Sequence, residues 1–469
     1  MKKTKIICSI GPVSRNYETM KKMIENGMNV ARINFSHATL QERKEAEEVV
    51  ERLNNDLNAN IAIMYDTKGP DFRTGTVVDE GVQLIEGKTI KIVKEDVVGN
   101  SERFTVNYKD ALDNIEIGNT ILLEDGLMKL VVVEKDNEGL TCRVINGGLL
   151  KNRKGINVPG VNLNVPFISD VDKEDIKYAC NKKGDFIACS FVSSKEDIMQ
   201  VRSLLKEYGH ERMQIISKVE SAKAIANLED IVDYSDGVMV ARGDLGVEVP
   251  LHEVPILQKK IVEMCRKKGK FCIVATEMLA SMYISSRPTR AEVSDIANAV
   301  FDGADAVMLS GETTVGKHPD LAVKYMADIC ENTEKNIKYR NISIPAGESD
   351  ITSAVAISVV ESTHALGGKV IAAPTMSGYT ARQISNYRPE CPILAGCVNT
   401  TICKSLALNY GVYTCIVPEL TTIEELIDQS SSKAKEIFDL VDGDIIVVTG
   451  CFPKYESSGT NFMKITTIK

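Results

Sequence analysis

One ammonium and two carboxylates stand close behind two short apolar runs. Met213–Ser217 and Gly237–Val240 are each bounded by polar residues and read as buried strands. Lys218 and Glu220 follow the first run; Arg242, Gly243 and Asp244 follow the second. In a parallel α/β sheet, the ends of strands are where ligands bind. Two carboxylates there suit either an acid/base pair or oxygen ligation of a hard cation. A lysine beside them favours phosphoryl chemistry, because ammonium and metal can both neutralise a phosphate in transfer. Taken singly, Lys218 and Glu220 read as a rim salt bridge and Asp244 as a helix cap. Their joint appearance at successive strand ends favours function.

More oxygen-bearing residues follow other apolar runs. RINFSH sets Arg32, Asn34 and Ser36 at alternate positions, hence on one face. With Asp66 and Thr67 after the next run, Asn34 and Ser36 give four oxygen donors. That set fits a hard cation or a hydrogen-bonded polar plug. Arg32 can grip a phosphate with its fork. His37 reads as structural, since none of the five histidines has metal-ligand spacing.

The elements that must position these groups are strands in alternation with helical patterns. The strand-like runs are Thr4–Ile10, Val30–Phe35, Ile61–Tyr65, Phe186–Phe191, Met213–Ser217, Gly237–Val240, Phe271–Ala275 and Ala306–Leu309. Eight such units imply a closed (β/α)8 TIM barrel over 1–70 and 166–340, with an open doubly wound sheet as the alternative. All the polar clusters then share one mouth, joined there by Ser190, Thr276, Glu277, Ser310 and Glu312. Residues 71–165 break the alternation. KTIKIV, NTILLE and LVVVE, separated by EDG, DNEG and NGG turns, read as an inserted all-β domain leaving the third strand's exit, placed to act as a lid. Alternation resumes in a C-terminal α/β domain over 341–469, after a linker-like RNISIPAGESD at 340–350.

Composition narrows the classes. A chain of 469 residues, 43% hydrophobic and 26% charged, reads as globular with roughly two to four domains. A net charge of -9 argues against non-specific nucleic-acid binding. The twelve cysteines lie largely in apolar runs without a CxxC pair, which fits a reducing, cytoplasmic setting. MKKTKIICSIGPVSR lacks a signal-peptide cleavage pattern, and no apolar run approaches the ~20 residues of a membrane span. The glycosylation triplets at Asn341 and Asn399 read as chance matches.

Further motifs are weighed between a ligand-binding reading and a plain one. DTKGPDFRTG puts a Gly-Pro hinge at the barrel-to-lid junction; Arg73 beyond it, and Lys154 in NRKGINVPG, either reach a nucleotide phosphate or are surface cations. ARGDLG offers glycines at a helix start, either an anion site or a plain turn. GETTVGKH nearly matches a phosphate-binding loop, but His318 replaces the hydroxyl residue and the strand before it is the last of the barrel, so it reads as a decoy. PTMSGYTARQ places Thr375, Ser377, Gly378 and Thr380 after a strand, either as an anion nest or as ordinary hydroxyl capping.

TKIICSIGP, RINFSH, DTKGPDFRTG, NRKGINVPGV, ISKVES, MVARGDLGVE, ATEMLASM, RPTRAEVSDIANAVFDGADAVMLSGET and SSGTNFMKI together resemble the pyruvate kinase family. They occur in that family's order and span almost the whole chain. The resemblance implies phosphoryl transfer from phosphoenolpyruvate to ADP, giving pyruvate and ATP. It implies Glu220 and Asp244 as ligands of Mg2+ or Mn2+, and Asn34, Ser36, Asp66 and Thr67 as ligands of K+. Lys218 and Arg32 would meet the substrate phosphoryl group, the N–H groups of Gly243 and Asp244 its carboxylate, and Thr276 the enolate carbon. Arg73 and Lys154 would approach the nucleotide. A sugar-phosphate or nucleotide effector at Thr375, Ser377, Gly378 and Thr380, and a homotetramer, are implied likewise.

Departures qualify the likeness. Ala38 stands where glycine is usual, Asp71 and Phe72 where Glu and an aliphatic residue are common, and Glu277 where glutamine is common. Potassium-independent members tend to carry lysine at the position of Asp71, so its retained negative charge implies potassium dependence. Tyr379 replaces a basic residue of some members. The extra C-terminal domain of some bacterial relatives is expected to be absent after Met463. A metal-dependent aldolase or lyase would account for Glu220 and Asp244, but not for the lid with Arg73 and Lys154. An inactive effector-binding relative would show damage at Lys218, Glu220, Asp244 or Thr276, and none is present.

Overall fold

The computed structural model describes residues 1–339, 350–419, 422–451 and 459–469. Eight parallel strands close into a barrel: Lys5–Ser9, Val30–Asn34, Ala62–Asp66, Phe186–Cys189, Gln214–Val219, Gly237–Ala241, Phe271–Ala275 and Ala306–Leu309. The first pairs with both the second and the eighth, which excludes the open-sheet alternative. Ends differ from the sequence reading by a residue or two. One shift matters: the fifth strand runs to Val219, so Lys218 lies within it rather than after it.

Side-chain parity explains what points inward. Val30, Ala62, Met64, Ala188, Ile216, Met239 and Ile273 belong to one apolar cluster inside the barrel, while Ile215, Val219, Val238 and Val274 pack in another against the outer helices. Successive strand residues face opposite sides. Arg32 and Asn34 therefore continue the inward row of Val30, Asp66 that of Met64, Ser190 that of Ala188, and Lys218 and Glu220 that of Ile216. An apolar barrel is topped by a polar layer. At the opposite end, Leu408 of the C-terminal region joins the interior cluster as a plug.

Between the third and fourth strands, Thr89–Val93, Thr120–Leu123 and Met128–Lys135 are strands of a six-stranded sheet. Its core, from Phe72 to Val158, is separate from that of the barrel. Toward the C-terminus, the helix Ile351–Ala365 precedes the parallel strands Val370–Ala372, Ile393–Cys397, Val412–Ile416 and Ile445–Gly450. An antiparallel edge strand, Phe462–Thr467, completes that sheet and was not anticipated. The linker-like segment at 340–349, with Asn341, lies outside the described residues, as do Ser457 and Ser458 of the closing motif. Ten of the twelve cysteines are buried. Among the described residues, no helix is long and apolar enough to cross a membrane.

Candidate active site

The polar layer is one continuous bonded network. Arg32 Nε donates to Asp66 Oδ2 at 2.7 Å and its Nη1 to Ser9 Oγ at 2.7 Å. Lys218 Nζ donates to Ser190 Oγ at 2.7 Å, lies 3.4 Å from Asp66 Oδ1, and pairs with Glu220 Oε1 at 2.9 Å. Glu220 also accepts the Phe191 backbone N–H at 2.5 Å. The Lys218 and Glu220 side chains are 11% and 1% exposed, so this is a buried pair and not a rim salt bridge. Ser190 bonds to both Lys218 and Asp66, a hub that the sequence placed at the mouth without a role.

Charge in this layer is unevenly compensated. Burial pushes the Lys218 pKa down, but the Asp66 and Glu220 carboxylates overcome it and the net direction is up. Burial alone would raise the Asp66 pKa; Arg32 and Lys218 hold it below the ordinary value. Glu220 goes the other way. Burial, aided by the negative charge of Asp244, pushes it up to about 7 against the pull of Lys218. Asp125 and Glu248 are raised too, by burial first and with a contribution from Asp244 in each case.

Carboxylates in this state fit a divalent cation, whose charge would relieve the repulsion around Glu220 and Asp244. Among the described residues, no group of three or more His, Cys, Asp or Glu side chains could hold a metal unaided. Two carboxylates would leave the remaining positions of such a cation to substrate and water, an arrangement that suits Mg2+. Asp244 sits in the first turn of Arg242–Glu248 without making a side-chain cap, so the capping reading fails.

The four proposed K+ donors stand at the ends of the second and third strands. Asn34 and Asp66 are paired in register. Asn34 Oδ1 accepts Ser36 N–H at 2.9 Å, and Thr67 Oγ1 accepts Ser190 N–H at 3.3 Å. These bonds match the polar-plug reading. Each oxygen keeps a second lone pair, so they are compatible with a cation as well.

A cavity of ≈ 1100 Å³ lies between the barrel mouth and the inserted domain, lined by Arg32, Lys218, Glu220 and Asp244 from the barrel and Arg73 and Lys154 from the insertion. Both lid cations have partners: Arg73 pairs with Asp71 and donates to the Arg153 carbonyl at 2.8 Å, and Lys154 pairs with Glu124. Both line the cavity, which is compatible with the nucleotide-phosphate reading, while the 40% exposure of the Arg73 side chain keeps the surface-cation reading open as well. Sequence reading missed several cavity residues. Glu124 and Asp125 belong to an EDG taken only as a turn, where both adopt positive φ. Glu248 accepts from Asn157 of the inserted region at 2.9 Å, a direct bond across the cleft. His37, read as structural, also lines the cavity.

Gly243 and Thr276 stand at the sixth and seventh strand ends and bond to each other: Gly243 N–H donates to Thr276 Oγ1 at 2.9 Å. That N–H is engaged rather than open. GETTVGKH is no phosphate cradle. Glu312 inside it is buried and accepts from Leu279 N–H at 3.0 Å and Ser310 N–H at 2.8 Å.

The C-terminal loop is partly capped. Thr375 Oγ1 accepts Gly378 N–H at 2.9 Å, and Ser377 Oγ accepts Tyr379 N–H at 3.4 Å. Thr380 is turned away, accepting from Thr460 Oγ1 at 2.8 Å. Arg382, unmentioned in the sequence reading, donates to the Ser377 carbonyl at 2.7 Å and so brings a cation to this loop's backbone.

Comparison with known proteins gives consistent findings. Residues 1–323 match the model for "Pyruvate kinase, barrel domain" and residues 353–466 that for "Pyruvate kinase, alpha/beta domain". The chain is 41% identical over 472 residues to the pyruvate kinase of Geobacillus stearothermophilus, covering all of this chain and 80% of that protein. It is 40% identical over 473 residues to that of Bacillus licheniformis, covering all of this chain and 81% of that protein. The crystal structure of a pyruvate kinase from Cryptosporidium parvum superimposes with a TM-score of 0.94 at 36% identity, covering 100% of this chain and 96% of that one.

Proposed function

The chain belongs to the pyruvate kinase family, and from that premise we propose which of its residues carry out phosphoryl transfer from phosphoenolpyruvate to ADP. In the reaction, the bond between phosphorus and the enol oxygen breaks. A β-phosphate oxygen of ADP takes the phosphoryl group, and the released enolate accepts a proton at its methylene carbon to become pyruvate. Such a transfer asks the protein for positioning and charge neutralisation more than for covalent chemistry.

The single observation that carries the assignment is the buried Lys218 ammonium, held by Ser190, Asp66 and Glu220 beneath the lid cations. Lys218 and Arg32 neutralise the phosphoryl oxygens in flight. Gly243 and Asp244 N–H groups orient the substrate carboxylate, for which Gly243 must exchange its bond to Thr276. Thr276 stands by the enolate carbon, where the proton arrives. Arg73 and Lys154 exchange Asp71 and Glu124 for nucleotide phosphates. Family members use a divalent cation and potassium. Glu220 and Asp244 would hold Mg2+ or Mn2+, which when bound supplies positive charge to the transferring group. Asn34, Ser36, Asp66 and Thr67 would hold K+. Residues 71–165 act as the lid that keeps water from the phosphoryl group, with 1–70 and 166–340 as the catalytic barrel. The assay is pyruvate formation from phosphoenolpyruvate and ADP: turnover in K+ buffer and little in Na+-only buffer is expected, and equal turnover in both overturns the potassium assignment.

Residues 341–469 form the regulatory part in this reading, with Thr375, Ser377 and Gly378 receiving a sugar-phosphate or nucleotide effector and Thr380, bonded to Thr460, standing outside that set. The left-handed Gly378 (φ 82) at the start of the helix Tyr379–Asn386, with Arg382 behind it, supports an anion there. Ser377→Asp is expected to abolish activation by a sugar phosphate and leave the basal rate intact; unchanged activation moves the site elsewhere. The buried thiols support a cytoplasmic protein. A homotetramer is carried over from the family, and a monomer in sedimentation would overturn it.

A further inference from the structure

We infer that Arg242 is a positioning residue that clamps the Thr276 loop in its working conformation. The inference rests on the reading that Thr276 serves the proton-delivery step. Arg242 opens the short helix Arg242–Glu248, and its side chain crosses to the exit of the seventh strand. Nη2 donates to the Thr276 carbonyl at 2.6 Å and Nε to the Ala275 carbonyl at 3.2 Å. Nη1 donates to Asp295 Oδ1 at 2.7 Å, on the helix Arg290–Asp302. The guanidinium thus ties three elements together, and its side chain is 13% exposed.

The loop it holds is strained. Thr276 has φ 70 and Glu277 φ 55, two successive non-glycine residues in left-handed backbone, the first of them β-branched. Such backbone is unfavourable for a residue with a Cβ and persists only where its surroundings over-determine it. Here Arg242 fixes the loop from one side, while Glu312 fixes it from the other by accepting Leu279 N–H at 3.0 Å. Strain of this kind has a consequence for the hydroxyl. Thr276 Oγ1 donates to the Ala275 carbonyl at 2.6 Å, the same oxygen that Arg242 Nε holds, and accepts from Gly243 N–H. Releasing the carbonyls lets Thr276 relax toward ordinary backbone and carries its hydroxyl away from the sixth strand's end. Lysine cannot substitute, because a point charge cannot bond two carbonyls and a carboxylate in one plane.

The test compares Arg242→Lys, Thr276→Ala and the double variant. Arg242→Lys is expected to lower kcat on the order of tenfold to a hundredfold, the usual scale for a misplaced reacting group, with KM for phosphoenolpyruvate nearly unchanged. Exchange of the pyruvate methyl protons with D2O, followed by NMR, should fall by the same factor. The double variant should be no slower than Thr276→Ala alone, since both changes remove one function. Losses that multiply, or proton exchange left at the wild-type rate, overturn the clamp while leaving the Thr276 reading in place. A Thr276→Ala enzyme with unaltered rates overturns that reading and the clamp with it. Should Arg242→Lys fail to fold, Asp295→Asn loosens the same anchor: a smaller fall in kcat and in proton exchange is expected, and no fall contradicts the clamp.

Discussion

The two ends of the barrel use the same residue types for opposite purposes. At the N-terminal end, Asp185, Asp236 and Asp305 each stand immediately before an even-numbered strand. Each accepts a backbone N–H from the neighbouring odd-numbered strand: Ile63 at 2.9 Å, Ile215 at 2.8 Å and Cys272 at 2.9 Å. These carboxylates close the ladder where it would otherwise fray, and two of them add an arginine, Arg202 for Asp236 and Arg388 for Asp305. At the C-terminal end, Asp66, Glu220 and Asp244 bond chiefly to side chains or to none of the ladder, and their charges remain available to a ligand. One end spends its carboxylates on stability; in the proposed reading the other keeps them for chemistry, the division expected of such barrels.

That contrast predicts separable losses. Largest is a mouth substitution: Lys218→Met should lower turnover on the order of 10³-fold, the scale of a lost charge donor to a transition state, in enzyme that remains folded at the assay temperature. Next is the floor. Asp305→Ala strands Arg388 in a pair whose side chains are each 6% exposed, so about 3 kcal/mol of stability should be lost. Its kcat at permissive temperature should stay near wild type; a kinetic collapse in a folded enzyme would erase the distinction. Smallest is a pH effect at Asp185. Burial pushes its pKa up to about 6 from 3.8, against the bond from Ile63. The folded state then holds the proton longer than the unfolded one, so stability falls as pH rises from about 4 to about 6 and changes no further above that. Asp185→Asn should flatten this part of a denaturation-versus-pH curve, and an unaltered slope would assign the titration elsewhere.

The mouth was more legible in the sequence than the floor. Arg32 and Asn34 alternate along one strand, so parity alone turns them inward once the apolar run is recognised; Lys218 and Glu220 read as following their strand, and its extension to Val219 gives them the same parity. Family motifs then bring Asp66, Asp244 and Thr276 to the same end. Asp185, Asp236 and Asp305 went unnoticed because a lone Asp before a strand looks like a turn residue, and its partner lies on another strand. The Glu124–Asp125 turn was hidden for a similar reason. Nothing local distinguishes a hairpin that faces a cavity from one that faces solvent, and only the packing of the inserted domain turns it toward Asp244. The edge strand Phe462–Thr467 escaped because half-exposed FMKITT lacks the apolar run that marked its buried neighbours.

The central claim is that Lys218 stabilises the phosphoryl group during transfer rather than holding substrate. Rapid-quench measurement of phosphoryl transfer in Lys218→Met, beside equilibrium binding of phosphoenolpyruvate in the presence of Mg2+, separates the two. The account predicts a slowing on the order of 10³-fold with binding weakened by no more than a few-fold. Equal losses in rate and affinity would contradict it.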